Sequence, residues 1–189
     1  MKAVFGLGNP GAAYALTRHN VGFETVDLYR KVHRHRRAGR IQNSCLVYRS
    51  GDLLLCKPLT YMNGSGAAVA GVLDRYAIRP SDALVVFDEL DLPLGRMKIL
   101  ASGGAGSHKG MSSVLAALGT QEIPRLRIGI EVEGRREPGE AFVLERFSSD
   151  EWLRVVPVLE GAVEAIDAFR HEDIDALMTR FNRRDADGC

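Results

Sequence analysis

Ala83-Leu84-Val85-Val86-Phe87, followed at once by Asp88-Glu89-Leu90-Asp91-Leu92-Pro93, is the stretch on which the fold turns. An unbroken apolar run rich in β-branched residues, closed by acids and a proline, reads as a strand covered on both faces. Such a strand belongs to a parallel sheet with helices on either side. The neighbouring segments fit that frame. Ala3-Val4-Phe5-Gly6-Leu7 is a short apolar strand ending in a Gly/Pro turn, and Leu126-Arg127-Ile128-Gly129-Ile130 is another. Cys45 to Tyr48 and Leu53 to Cys56 flank Ser50-Gly51-Asp52 as a hairpin. Phe142-Val143-Leu144 reads as a further short strand.

Between the strands lie helical periodicities at Val21–Val32, Ala67–Tyr76, Met111–Leu118 and Ile174–Phe181. Ser148 with Glu151 forms a capping box before a helix that runs to Phe169, where Pro157 is expected to kink the helix or sit in its first turn. Strands alternating with helices give an α/β class: a twisted, mostly parallel mixed sheet with helices on both faces. With 189 residues and no linker or internal repeat, residues 1–189 read as a single domain. Polar termini are often disordered, and Arg183–Cys189 is such a tail.

Composition narrows the function classes. Lys+Arg total 25 against 24 for Asp+Glu, which excludes an overall polycation but not a local basic face for nucleic acid. The three cysteines, Cys45, Cys56 and Cys189, are too few and scattered for a disulfide scaffold or a metal site. No run approaches the ~18 apolar residues of a membrane span. The expectation is a reduced, soluble, cytoplasmic protein.

Gly6-Leu7-Gly8-Asn9-Pro10-Gly11 matches the dinucleotide fingerprint G-x-G-x-x-G. Its context argues against that use. The residues after the third glycine are polar and irregular, and the acids at the right distance, Glu24 and Asp27, fall inside a helix pattern. Tight turns explain the glycines but not Asn9, an amide held at a strand's carboxyl end. Three other loops carry polar groups to comparable places: Thr17-Arg18-His19-Asn20, Thr60-Tyr61-Met62-Asn63-Gly64-Ser65-Gly66, and the segment beginning at Asp88. In an open α/β sheet all of these converge on one crevice. The crevice would hold one histidine, several amides and a carboxylate, with no candidate metal cluster. That set suits activation of water against a carbonyl centre and stabilisation of the oxyanion that forms. The G-x-S-x-G elbow is absent, which disfavours serine hydrolysis. His33 and His35 sit in the basic run Arg30–Arg37 and read as surface, as does His171. His108, in a Gly-rich loop, is not expected in a core.

With these segments in order, and with Lys57-Pro58-Leu59 before the second loop and Arg125-Leu126-Arg127 opening the last strand, the chain resembles the bacterial peptidyl-tRNA hydrolase family along its length. The resemblance implies a monomeric enzyme, free of metal and cofactor. It would hydrolyse the ester between a peptide and the 3′ end of tRNA, recycling tRNA from prematurely released peptidyl-tRNA. It implies His19 as catalytic base, Asp88 as the group that orients it, and Asn9 as the residue separating N-blocked substrates from free aminoacyl-tRNA. Tyr14, Tyr61 and Asn63 are implied to contact substrate, Met62 to line the crevice, and Arg127 to help clamp a tRNA phosphate. Two positions depart from the family pattern. Lys109 stands where an asparagine is usual, and a lysine of the clamp aligns with Leu100. An ammonium accepts no hydrogen bond, so Lys109 is expected to serve a phosphate instead. The competing readings are a non-catalytic RNA-binding protein on the same fold and, on the glycine motif alone, a nicotinamide-dependent oxidoreductase.

Overall fold

The run at 83–87 forms the first half of strand β5 (Ala83–Pro93) of a computed structural model in which residues 1–182 are described. Its side chains divide between two layers. Leu84 and Val86 enter one core, while Ala83, Val85 and Phe87 enter the other. The other strands are β1 (Lys2–Gly6), β2 (Arg40–Gln42), β3 (Cys45–Ser50), β4 (Leu53–Pro58), β6 (Met97–Leu100) and β7 (Arg125–Glu131). They form one seven-stranded sheet in the order β2-β3-β4-β1-β5-β7-β6. The centre is parallel, β1 pairing with β4 and β5, and β5 with β7. The outer strands β2, β3 and β6 run antiparallel to their neighbours.

Helices α1 (Val21–Val32), α5 (Ser149–Phe169) and α6 (Ile174–Asn182) cover one face. Helices α2 (Ser65–Arg75) and α3 (Lys109–Leu118) cover the other. Each large apolar side chain buried between sheet and helices contributes roughly 1.5–3 kcal/mol. The expected α/β sheet with helices on both faces is what forms. Among the described residues no helix is long and apolar enough to cross a membrane. The expected tail, Arg183–Cys189, lies outside the described residues.

Two expectations need correction, and one that offered alternatives, the place of Pro157, is decided between them. Phe142-Val143-Leu144 is not a strand: a single helical turn, α4 (Gly139–Phe142), ends there. Phe142 and Val143 pack with Ile130 and Leu90 in a small separate core. Pro157 lies inside α5, well past its first turn, where the missing N–H deprives the Leu153 carbonyl of its helical partner. The capping box at Ser148 and Glu151 forms as expected, in both directions. His108 is buried and caps α3, so that helix begins at Lys109 rather than Met111.

The strand order reverses at β1, since β4 lies on one side of it and β5 on the other. The crevice outside the carboxyl ends of these strands is the natural ligand site of such a sheet. Two glycines bring the following turn close to it. A Cβ on Gly6 would overlap the Gly22 carbonyl, and one on Gly22 would overlap the backbone of Leu7 and Val86. The start of α1 therefore presses directly on the strand ends. The space a dinucleotide phosphate would need is filled by the chain itself.

Candidate active site

Asn9 follows β1, and its backbone is held on both sides by one amide. Its N–H donates to Asn20 Oδ1 at 2.8 Å, and its carbonyl accepts from Asn20 Nδ2 at 3.0 Å. Asn20 closes a 3-10 turn, Arg18–Asn20, that carries His19. The Asn9 side chain accepts from the Met62 N–H through Oδ1 at 2.8 Å. That contact fixes the orientation of the amide and leaves Nδ2 as a donor facing the crevice. Met62 begins a second 3-10 turn, Met62–Gly64, at the end of β4.

The His19 turn is pinned from the far side. Arg18 and His19 N–H groups donate to the carbonyls of Glu145 and Val143. In the buried Arg18 guanidinium, Nη2 donates to both carboxylate oxygens of Glu151 and Nη1 to the Arg146 carbonyl, and the group lies over the Phe142 ring. His19 therefore sits on a turn fixed from Asn9, from the Val143–Arg146 segment and from Glu151.

Asp88, on β5, is the electrostatic centre. It is 2% exposed, and its Oδ1 accepts from His19 Nδ1 at 2.8 Å and from His108 Nε2 at 3.0 Å. Burial alone would push the carboxyl up. Attraction to the His19 and His108 rings, with the hydrogen bonds from both, overrides it and holds Asp88 well below the usual carboxylate range. His108 Nδ1 accepts from the Met111 N–H at 3.0 Å. The proton of His108 is therefore on Nε2, committed to Asp88. His19 donates Nδ1–H to Asp88 and turns Nε2, with its lone pair, toward the crevice.

His108 is the residue that the sequence left out of this site. The expected single histidine is in fact two, with rings in edge contact, centroids 5.0 Å apart. Together with Asp88 they could offer three ligand atoms within 4.8 Å of one another. The Met111 N–H disfavours that use, because a metal at His108 Nε2 would force the proton onto Nδ1, against another donor.

The crevice has a volume of about 390 Å³, and its walls include Asn9, His19, Tyr61, Met62, Asn63 and Lys109. Tyr61 is exposed and meets the Tyr14 ring edge-on, centroids 6.2 Å apart. Lys109 Nζ lies 2.7 Å from Glu140 Oε1, bridging the α3 and α4 walls. The Lys109 contact holds the Glu140 carboxyl below its ordinary value. Arg127 does not line the crevice. It is paired at 3.1 Å with Glu89, which does. Lys98 is its cross-strand neighbour, while Leu100 pairs with Arg125.

A parallel-centred α/β sheet whose switch-point crevice holds a His–Asp pair and amide donors defines a hydrolase-type site. The family model for peptidyl-tRNA hydrolase matches residues 3–188, and the chain belongs to that family. It is 44% identical to a peptidyl-tRNA hydrolase of Symbiobacterium thermophilum, over 96% of this chain and 98% of that protein. It is 40% identical to one of Aquifex aeolicus, over 98% of each. The crystal structure of a peptidyl-tRNA hydrolase from Acinetobacter baumannii superposes with a TM-score of 0.88 at 29% identity, covering 96% of this chain and 94% of that one.

Proposed function

We propose that this protein hydrolyses the ester joining a peptide to the 3′ end of tRNA, with His19 as general base. The observation that carries the assignment is the orientation of His19. Its Nδ1–H is spent on Asp88, so Nε2 is free to take a proton from water in the crevice. The resulting hydroxide attacks the ester carbonyl. The adjacent Asp88 carboxylate stabilises the imidazolium that forms. Collapse of the tetrahedral intermediate breaks the bond to the tRNA 3′ oxygen, which recovers the proton from His19.

The free Asn9 Nδ2–H reads an acceptor. A carbonyl on the blocked α-nitrogen supplies one and a free amino group does not, which accounts for selection of N-blocked substrates. Tyr61, with Tyr14 at its edge, offers an aromatic face for the terminal base. Asn63 and Met62 complete that wall. Lys109 exchanges Glu140 for a backbone phosphate, and Arg127 supports a phosphate from beside the crevice. The reaction runs without metal or cofactor, on a monomer, in the cytoplasm.

RNA binding alone has no need of a histidine locked on a buried carboxylate, which favours the enzyme over a non-catalytic binder. The deciding experiment is turnover of N-blocked aminoacyl-tRNA with and without EDTA. Hydrolysis that persists in chelator is expected. Tight tRNA binding with no hydrolysis would assign the fold to RNA binding instead.

A further inference from the structure

Arg125 is a fully buried cation with no role in the chemistry above. It opens β7, and its guanidinium is spent on carbonyl oxygens. Nη1 donates to Gly103 at 2.6 Å and Gly104 at 2.9 Å. Nη2 donates to Gln121 at 2.9 Å and Ile123 at 3.0 Å, and Nε donates to Ile123 at 3.2 Å. No carboxylate forms an ion pair with it among the described residues. Burial, and secondarily the neighbouring Arg127, pull it down to about 10, so it remains charged at neutral pH.

The segment it grips, Ala101–His108, contains Gly103, Gly104 and Gly106. Glycines lose the most backbone freedom on ordering. Packing does little to order its glycines: a Cβ on Gly104 or Gly106 would meet nothing within 4 Å, and one on Gly103 would meet only Arg125 itself, while Ala105 alone packs against the apolar core. Gly103 and Gly106 also adopt positive φ, at 137° and 56°. The segment nevertheless ends on a residue that must be placed to within a hydrogen bond, because His108 closes on Asp88. Ser107, His108 and Lys109 all line the crevice.

We propose that Arg125 is a positioning residue for hydrolysis: by holding the carbonyls of Gly103 and Gly104 it fixes the glycine segment and thereby keeps His108 on Asp88. The inference rests on the hydrolase reading and deepens it, since Arg125 touches neither substrate nor His19. The planar fork is what the task requires. A lysine ammonium is a point donor on a shorter reach and cannot span the Gly103, Gly104, Gln121 and Ile123 carbonyls together.

The test uses Arg125→Lys and Arg125→Ala in the intact protein, with His19→Ala measured alongside and N-blocked aminoacyl-tRNA as substrate. Arg125→Lys is expected to lower kcat by about 10- to 100-fold, the cost of a small misplacement at the reacting centre, while KM stays within about threefold. Arg125→Ala leaves a cavity lined by those carbonyls. Millimolar guanidinium is expected to restore much of its kcat, and equal sodium or methylammonium is not. Parental kcat in Arg125→Lys overturns the inference. So does a folded Arg125→Ala that guanidinium fails to rescue. If Arg125→Ala does not fold, the Arg125→Lys result decides alone. No turnover in the parent protein would bring down the hydrolase reading; an active parent and an inactive His19→Ala beside a parental Arg125→Lys would bring down this inference only.

Discussion

Replacing Asp88 with Asn removes one charge and almost no volume from a site 2% exposed to solvent. An asparagine oxygen can still accept from His19 Nδ1, so the ring keeps a partner; what it loses is the countercharge for the imidazolium of the transition state. Two unit charges about 4 Å apart at an effective dielectric near 20 attract by about 4 kcal/mol. Part of that attraction is already present as a hydrogen bond before proton transfer, which leaves about 2–4 kcal/mol specific to the transition state. At 1.36 kcal/mol per decade, kcat for N-blocked aminoacyl-tRNA should fall roughly 30- to 1000-fold while KM moves little. Stability gives a second readout with a definite sign. The Asp88 carboxyl is held below its ordinary value, so its contribution is complete above the unfolded value near 3.9 and is lost as pH falls through the lower native value. The thermal-stability gap between parent and Asp88→Asn should therefore be widest near neutrality and close in strong acid. A kcat within about fivefold of the parent would leave Asp88 as scaffold only.

His19→Ala should lower kcat by about 10²–10⁴-fold with tRNA affinity nearly unchanged; lost binding with retained turnover would reverse the assignment. Asn9→Ala should narrow the preference for N-blocked over free aminoacyl-tRNA by roughly 1–3 kcal/mol, the worth of one hydrogen bond in a desolvated site. Equal slowing of both substrates would make Asn9 a turn residue alone. Lys109→Asn should flatten the log–log salt dependence of tRNA binding by about 0.7, one single-strand phosphate, and Glu140→Gln should tighten that binding by freeing Lys109. An unchanged slope with collapsed turnover in Lys109→Asn would place that side chain on the peptide.

The sheet's centre was legible because its strands are apolar on both faces. The hairpin was legible because Gly51, at φ 65°, marks its turn. The strands that escaped notice are marginal. β2 has three residues, none of them buried, and β6 has four, close behind the long β5. Phe142-Val143-Leu144 misled because three apolar residues carry no period; the helical turn there follows from Pro138 and Gly139 just before it. In the crevice, Asn9, Met62, Asn63 and Asp88 could be read because each stands just beyond an apolar run that reads as a strand, and His19 because it stands in a polar loop just before a helix. His108 could not. Its link to Asp88 spans 20 positions and the far wall of the sheet, and its sequence neighbours are glycines and small polar residues. Arg127 was singled out only by the family resemblance, and its ion pair with Glu89 was not legible.

The turn that carries His19 is pinned by carbonyls at Val143 and Glu145 and by Glu151 on α5, so the earliest part of the chain to be made waits on a late one. Parallel pairings and contacts this distant in sequence form only once the intervening chain is available. A growing copy of this protein is itself a peptide esterified to tRNA, the very linkage it cleaves when finished. Until α5 has been synthesised and has docked on α1, the turn that carries His19 lacks its Glu151 partner. The order of synthesis thus leaves the His19 turn unpinned until most of the chain has been made.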